Sequence, residues 1–87
     1  MSTDTNIRTP VHPGEILREE MLAPMGLSLS ALARGIQVPV NRLSQIVRGR
    51  RAITPDTGLR LSRYFGFSPE YWVQLQMRYD FELVRRR

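Results

Sequence analysis

Two amide side chains, Asn41 and Gln45, stand four residues apart in the segment Val40-Asn-Arg-Leu-Ser-Gln-Ile-Val-Arg48. On a helix that spacing is one turn, so the pair shares a face, and each amide can bond an adenine edge bidentately in a major groove. Arg42, Ser44 and Arg48 add donors around them. Val40 offers an apolar contact for a thymine methyl, or else simply covers the preceding turn. Just past Gly49, Arg50 and Arg51 are placed to grip a phosphate backbone. Upstream, Ser28 and Ser30 can donate to phosphate, although Ser28 is first of all a helix cap. The plain alternative for all of these is a solvated polar surface. The case for base reading is that the neighbouring apolar positions fix which side faces out.

The charge along the chain agrees with a polyanion site. All 13 basic side chains are arginine and none is lysine. Arginine's planar fork suits phosphates and guanine edges, though a GC-rich genome would also favour its codons. Position says more than number. From Met1 to Leu29 the net charge is −2, and from Glu70 to Arg87 it is +1. Between Ser30 and Pro69 seven arginines face Asp56 alone, a net of +6. A surface that merely keeps a protein in solution mixes its signs; this one segregates them.

Other chemistries find little material. Cysteine is absent, which removes disulfides, thiolate metal sites and a thiol nucleophile at once. His12 is the only histidine, so neither a metal site nor a Ser/His/Asp triad has its parts, and a cap or packing role is expected for it. The reading is of a non-enzyme with no cofactor and no small-molecule substrate. No apolar run approaches the ~18 residues of a membrane span and no signal peptide opens the chain, so a soluble, cytoplasmic protein is expected.

Positioning the amides and arginines requires short helices. The chain's 87 residues suit one small all-α domain of five helices. His12-Pro13, Thr54-Pro55 and Ser68-Pro69 mark starts, since proline at the first helical position loses no hydrogen bond. Helix 1 is expected over about 13–22, with Ile16, Leu17, Met21 and Leu22 inward. Helix 2 runs from the cap Ser28 to about Gly35, with Leu29, Leu32, Ala33 and Ile36 as its buried stripe. Helix 3 covers about 39–48, with Leu43, Ile46 and Val47 inward and Gly49 as the stop. Helix 4 spans about 55–65, burying Leu59, Leu61 and Phe65. Helix 5 starts after Ser68, with Phe67 and Trp72 set as a hydrophobic staple, and continues to about Val84. Residues 1–8 read as a disordered arm, 9–84 as the domain, and Arg85–Arg87 as a disordered basic tail.

Helix 5 carries two apolar stripes. Trp72, Leu75, Tyr79 and Leu83 form one, and Val73, Met77, Phe81 and Val84 form the other, roughly 135° away. A domain this small covers one of them, so the second predicts a twofold dimer built over residues 68–84. The alternative is a single wide buried face.

Two short helices joined by a tight turn, with Ala33 at the crossing, are the sequence form of a helix–turn–helix. Together with His12-Pro-Gly-Glu-Ile-Leu-Arg-Glu-Glu20, Leu32-Ala33, Arg50-Arg-Ala-Ile-Thr-Pro-Asp-Thr57, Leu59-Arg-Leu61 and Ser68-Pro-Glu-Tyr-Trp72, this resembles the HigA family of antitoxins. The resemblance covers about residues 10–82. It implies the phage-repressor-like helix–turn–helix fold, a homodimer, repression of its own operon through a palindromic duplex operator, and neutralisation of a HigB-type mRNA-cutting toxin in a prokaryotic cytoplasm. Because such toxins are typically basic, Glu15, Glu19 and Glu20 are candidate toxin contacts; the alternative is a solvated acidic face. Three positions depart from the family pattern: Gln37 stands where glycine is usual, Pro39 where serine or threonine begins the recognition helix, and Leu29 where a polar residue often meets phosphate. Two rival readings are a stand-alone transcriptional regulator and an adaptor whose helix–turn–helix no longer reads DNA.

Overall fold

Side-chain caps start three of the five helices, two of them with proline at the first helical position. The computed structural model describes residues 9–87, which form five helices and no strand. The arm expected at residues 1–8 lies outside the described residues. At α1 (residues 13–25) the imidazole Nδ1 of His12 accepts the Gly14 N–H at 2.8 Å, with Pro13 at the first helical position. At α2 (Leu29–Ile36) the Ser28 hydroxyl accepts the Ala31 N–H at 3.0 Å, and at α4 (Pro55–Phe65) Thr54 does the same for Thr57 at 3.3 Å. Such caps each contribute about 1 kcal/mol. Pro39 precedes α3 (Val40–Val47) in extended backbone and supplies no side-chain cap. Regular winding of α5 (Tyr71–Arg85) begins two residues later than the Ser68-Pro69 signal, after a single turn closed by the Tyr71 N–H on the Ser68 carbonyl.

Helix α1 runs past Leu22 and ends at Met25, in the Ala23-Pro24-Met25-Gly26 stretch where the sequence closes it. It is α-helical over Pro13–Ile16, π-helical over Leu17–Leu22, and α-helical again over Ala23–Met25. Pro24 has no N–H to donate, and its ring crowds the carbonyl four residues back. The wider register relieves this, with the Ala23 N–H reaching back five residues to Arg18 O. It also explains why Leu17 and Leu22, five apart, are both buried.

Four helices stop in the same way. Gly26, Gln37 and Gly66, directly after α1, α2 and α4, and Gly49, two residues after α3, take left-handed backbone with φ between 60 and 83°. The next residue's N–H then returns five positions: Leu27 to Leu22, Val38 to Ala33, Arg50 to Gln45 and Phe67 to Ser62, at 2.9 to 3.1 Å. Only Gln37 does this with a Cβ, at a cost of about 1–2 kcal/mol.

Leu17, Leu32, Leu43, Ile46, Leu61 and Trp72 form the fully covered centre of the core. α2 packs on α3 and α4, α4 on α5, and the start of α1 on both α3 and α5. The α1–α3 approach is close, and Ala33 is buried where α2 was expected to cross α3. Gly14 lies directly on the α3 main chain, and a Cβ there would stand 2.5 Å from the Ile46 carbonyl carbon and overlap its oxygen. The staple forms as expected, with Phe67 and Trp72 rings 5.9 Å apart edge to face. Leu29, Leu59 and Phe65 are half-buried rather than covered. At the C-terminus Arg85 ends α5, and Arg85 and Arg86 both pair with Glu82, at 3.2 and 3.9 Å.

Candidate nucleic-acid interface

Helix α3 is held by its buried side. Leu43, Ile46 and Val47 enter the core, which forces Asn41, Gln45 and Arg48 outward into solvent. Val40 is 43% exposed at the start of the same side. Arg42 and Ser44, expected among the outward positions, are half-buried along its flank. No side chain caps the first turn of α3, so the positive end of its dipole carries no side-chain acceptor. Ser28 and Ser30 are exposed at the start of α2, and Ser28 is already engaged as its cap.

The turn after α3 brings the arginines back onto it. Gly49 (φ +75) reverses the chain, and its N–H and that of Arg50 close on Ile46 and Gln45 carbonyls. Arg51 therefore lies over the last outward turn, where its Nε donates to Gln45 Oε1 at 2.8 Å. The pairing was not anticipated, because it depends on the direction of this turn. Among the described residues, Arg34, Arg42, Arg48, Arg50 and Arg63 make no ion pair, so much of the basic segment's charge is uncompensated. Arg60 is the exception. It holds Asp56 at 3.1 Å and donates to the Ile36 carbonyl at 3.0 Å, tying α4 to the end of α2.

Buried Gln76 and half-buried His12 fix the 48–54 loop, and they were missed or only half read. Gln76 of α5 is covered; its Oε1 accepts the Ile53 N–H at 2.9 Å and its Nε2 donates to Asp80 at 2.9 Å. His12 touches three elements at once. It caps α1, its ring meets Tyr79 of α5 edge-on at 4.9 Å, and it lies against Gly49. Burial holds its imidazole below the usual value, while the Asp80 charge and a backbone hydrogen bond at Arg51 pull the other way. The neutral ring is the form that can cap, since a protonated Nδ1 has no lone pair to offer Gly14.

On α1, Glu15, Glu19 and Glu20 are all exposed; Glu19 pairs with Arg18 at 2.8 Å. Along α5, Met77, Phe81 and Val84 are 64, 61 and 60% exposed. Val73, expected with them, is half-buried against Gly58 of its own chain. Leu83, expected on the covered stripe, is 40% exposed, and Gln76 takes a place on the buried side instead. Among the described residues no group of three or more acidic or histidine side chains is arranged to hold a metal, and no helix is long and apolar enough to cross a membrane.

Residues 17–72 match the helix-turn-helix family. The chain is 51% identical over 76 residues to virulence-associated protein I of Dichelobacter nodosus, covering 87% of this chain and 70% of that one. It is 35% identical over 80 residues to antitoxin HigA-1 of Vibrio cholerae, covering 92% and 75%. Among solved structures, a Pseudomonas aeruginosa antitoxin HigA, determined with the higBA promoter, superposes with a TM-score of 0.83 at 43% identity, over 86% of this chain and 82% of that one.

Proposed function

The chain belongs to the helix-turn-helix family, among the HigA-type antitoxins, and from that premise we propose that it is a dimeric DNA-binding repressor of its own toxin–antitoxin operon. It acts by binding, not by catalysis. The observation that carries the reading is the outer side of α3: outward amides beside arginines that no carboxylate among the described residues neutralises. In a major groove, Asn41 bonds an adenine edge, with Val40, Ser44 and Gln45 beside it. Arg42, Arg48 and Arg50, together with Ser28 and Ser30, supply phosphate and groove contacts that make affinity salt-dependent, and Arg51 enters the groove beside Gln45.

Dimerisation completes the device. Met77, Phe81 and Val84, with Val73 at their edge, give α5 an apolar stripe that a second copy covers. Two copies of α3 then enter successive major grooves of a palindromic operator about 34 Å apart. The toxin partner rests on family membership, and the exposed acids Glu15, Glu19 and Glu20 support α1 as its docking side toward a basic RNase in the bacterial cytoplasm.

The test is a mobility-shift titration on the chain's own upstream DNA at several salt concentrations. The reading expects a shift that weakens steeply with salt. Asn41→Ala should lose about 1–3 kcal/mol on the operator and little on random duplex. Arg50→Ala should weaken both alike and lower the salt slope by about 1. No shift at low salt, or identical effects of the two variants on both DNAs, overturns it.

A further inference from the structure

Resting on the reading of α3 as a recognition helix, we propose that Gln45 and Arg51 act as one unit that selects a guanine, with Arg51 a specificity residue and not a phosphate clamp. Arginine carries only donors, so the Gln45 atom 2.8 Å from Arg51 Nε is the oxygen, and the orientation of the amide is fixed by chemistry. Bidentate adenine readout needs that same oxygen to accept the adenine amino group while the amide nitrogen donates to N7. Here one of the oxygen's two lone pairs is already taken by a cation, which would also crowd and repel an approaching amino donor.

What the pair turns outward is a set of donors: the Gln45 amide N–H groups and the two terminal nitrogens of Arg51. Guanine presents two acceptors, O6 and N7, on its major-groove edge; adenine and cytosine each present an amino donor there. A donor-only surface with a positive charge matches the first and opposes the others. The backbone makes the arrangement specific to this turn. Gly49 in left-handed conformation and the Arg50 N–H on the Gln45 carbonyl bring residue 51 back over residue 45. Both side chains are solvent-exposed, and Arg51 has no carboxylate partner among the described residues. The hydrogen bond thus adds little to folding; its use is to present the two groups together.

The experiment is enrichment of bound duplexes from a randomised DNA library by the wild-type chain, Arg51→Ala and Gln45→Ala, each first checked for helical content. Enriched duplexes are then titrated with single guanines replaced by adenine or by 7-deazaguanine, which lacks N7. The wild-type chain is expected to enrich one guanine per half-site whose replacement by either base weakens binding roughly 5- to 150-fold. Gln45→Ala loses preference at that same base pair. Arg51→Ala frees the glutamine oxygen, so preference there moves from guanine toward adenine while other positions keep theirs. An enriched motif that Arg51→Ala leaves unchanged, with every sequence weakened by one factor, overturns this inference and leaves the DNA-binding reading standing. A wild-type chain that enriches nothing overturns both.

Discussion

Replacing Gly14 by alanine tests whether the start of α1 is set by its contact with the recognition helix. The added Cβ would stand 2.5 Å from the Ile46 carbonyl carbon and 3.0 Å from Val47 Cα, overlapping the Ile46 oxygen. Main-chain atoms of a packed helix cannot swing aside, so α1 must retreat by more than about 1 Å before the Ile46 oxygen reaches an ordinary contact near 3.4 Å. A gap of about 1 Å already forfeits up to about half of each dispersion contact beside it. The buried Pro13 and Leu17 and the His12 cap move with the same turn. Overpacking typically costs 1–3 kcal/mol, and a rigid neighbour puts this site at the upper end, about 3 kcal/mol. A chain of this size has roughly 4–13 kcal/mol to lose and shifts about 4–8 °C per kcal/mol, so the melting point should fall by about 12 °C or more. Gly35→Ala is the internal control. Its nearest contacts are with the Tyr64 side-chain ring, 43% exposed, rather than with main chain, while alanine favours the helix by up to ~1 kcal/mol. Melts followed by circular dichroism at one protein concentration should separate the two variants. Should Gly14→Ala melt within about 3 °C of the wild-type chain, the claim that this glycine sets the α1–α3 distance is wrong.

Other consequences are as direct. Gln37→Gly should stabilise by about 0.5–1 kcal/mol, since relief of left-handed strain exceeds the extra entropy glycine brings to the unfolded chain; an unchanged melting point refutes this. His12 resists protonation when folded but not when unfolded. Its contribution is therefore intact above about pH 6.5 and lost as the pH falls through its lowered value. No other histidine is present, so the melting-point difference between wild type and His12→Asn should narrow or change sign toward pH 5, and a flat difference refutes the linkage. Phe81→Glu should halve the mass seen by sedimentation at micromolar concentration, and an unaltered mass removes α5 as the interface.

Much of the helical frame was readable, because its signals are local. X-Pro pairs and polar caps marked the starts of α1, α2 and α4, Gly49 marked the end of α3, and the inward positions Leu43, Ile46 and Val47 settled which side of α3 faces water. The π-helical turn was also within reach: Leu17 and Leu22 five apart, with Pro24 just beyond, fit an i→i+5 register better than an α one. What escaped depends on distant partners. Gln76 is polar and looks like a surface residue until the Ile53 N–H, 23 positions earlier, is found against it. Gly14 resembles an ordinary weak spot in a first turn until Ile46 lies on it. Arg51 reads as a loop cation until the turn at Gly49 folds it over Gln45.

The stretch that matches the family, residues 17–72, is consequently not a piece that can be excised and expected to stand. His12 and Gly14 precede it and Gln76 follows it, yet these three seat the first helix on the third and give the Ile53 amide its acceptor. A fragment trimmed to those bounds would leave a main-chain donor stranded in the interior and the arginine-bearing loop tethered at one end fewer. Anyone grafting this reader onto another scaffold would have to carry both flanks along.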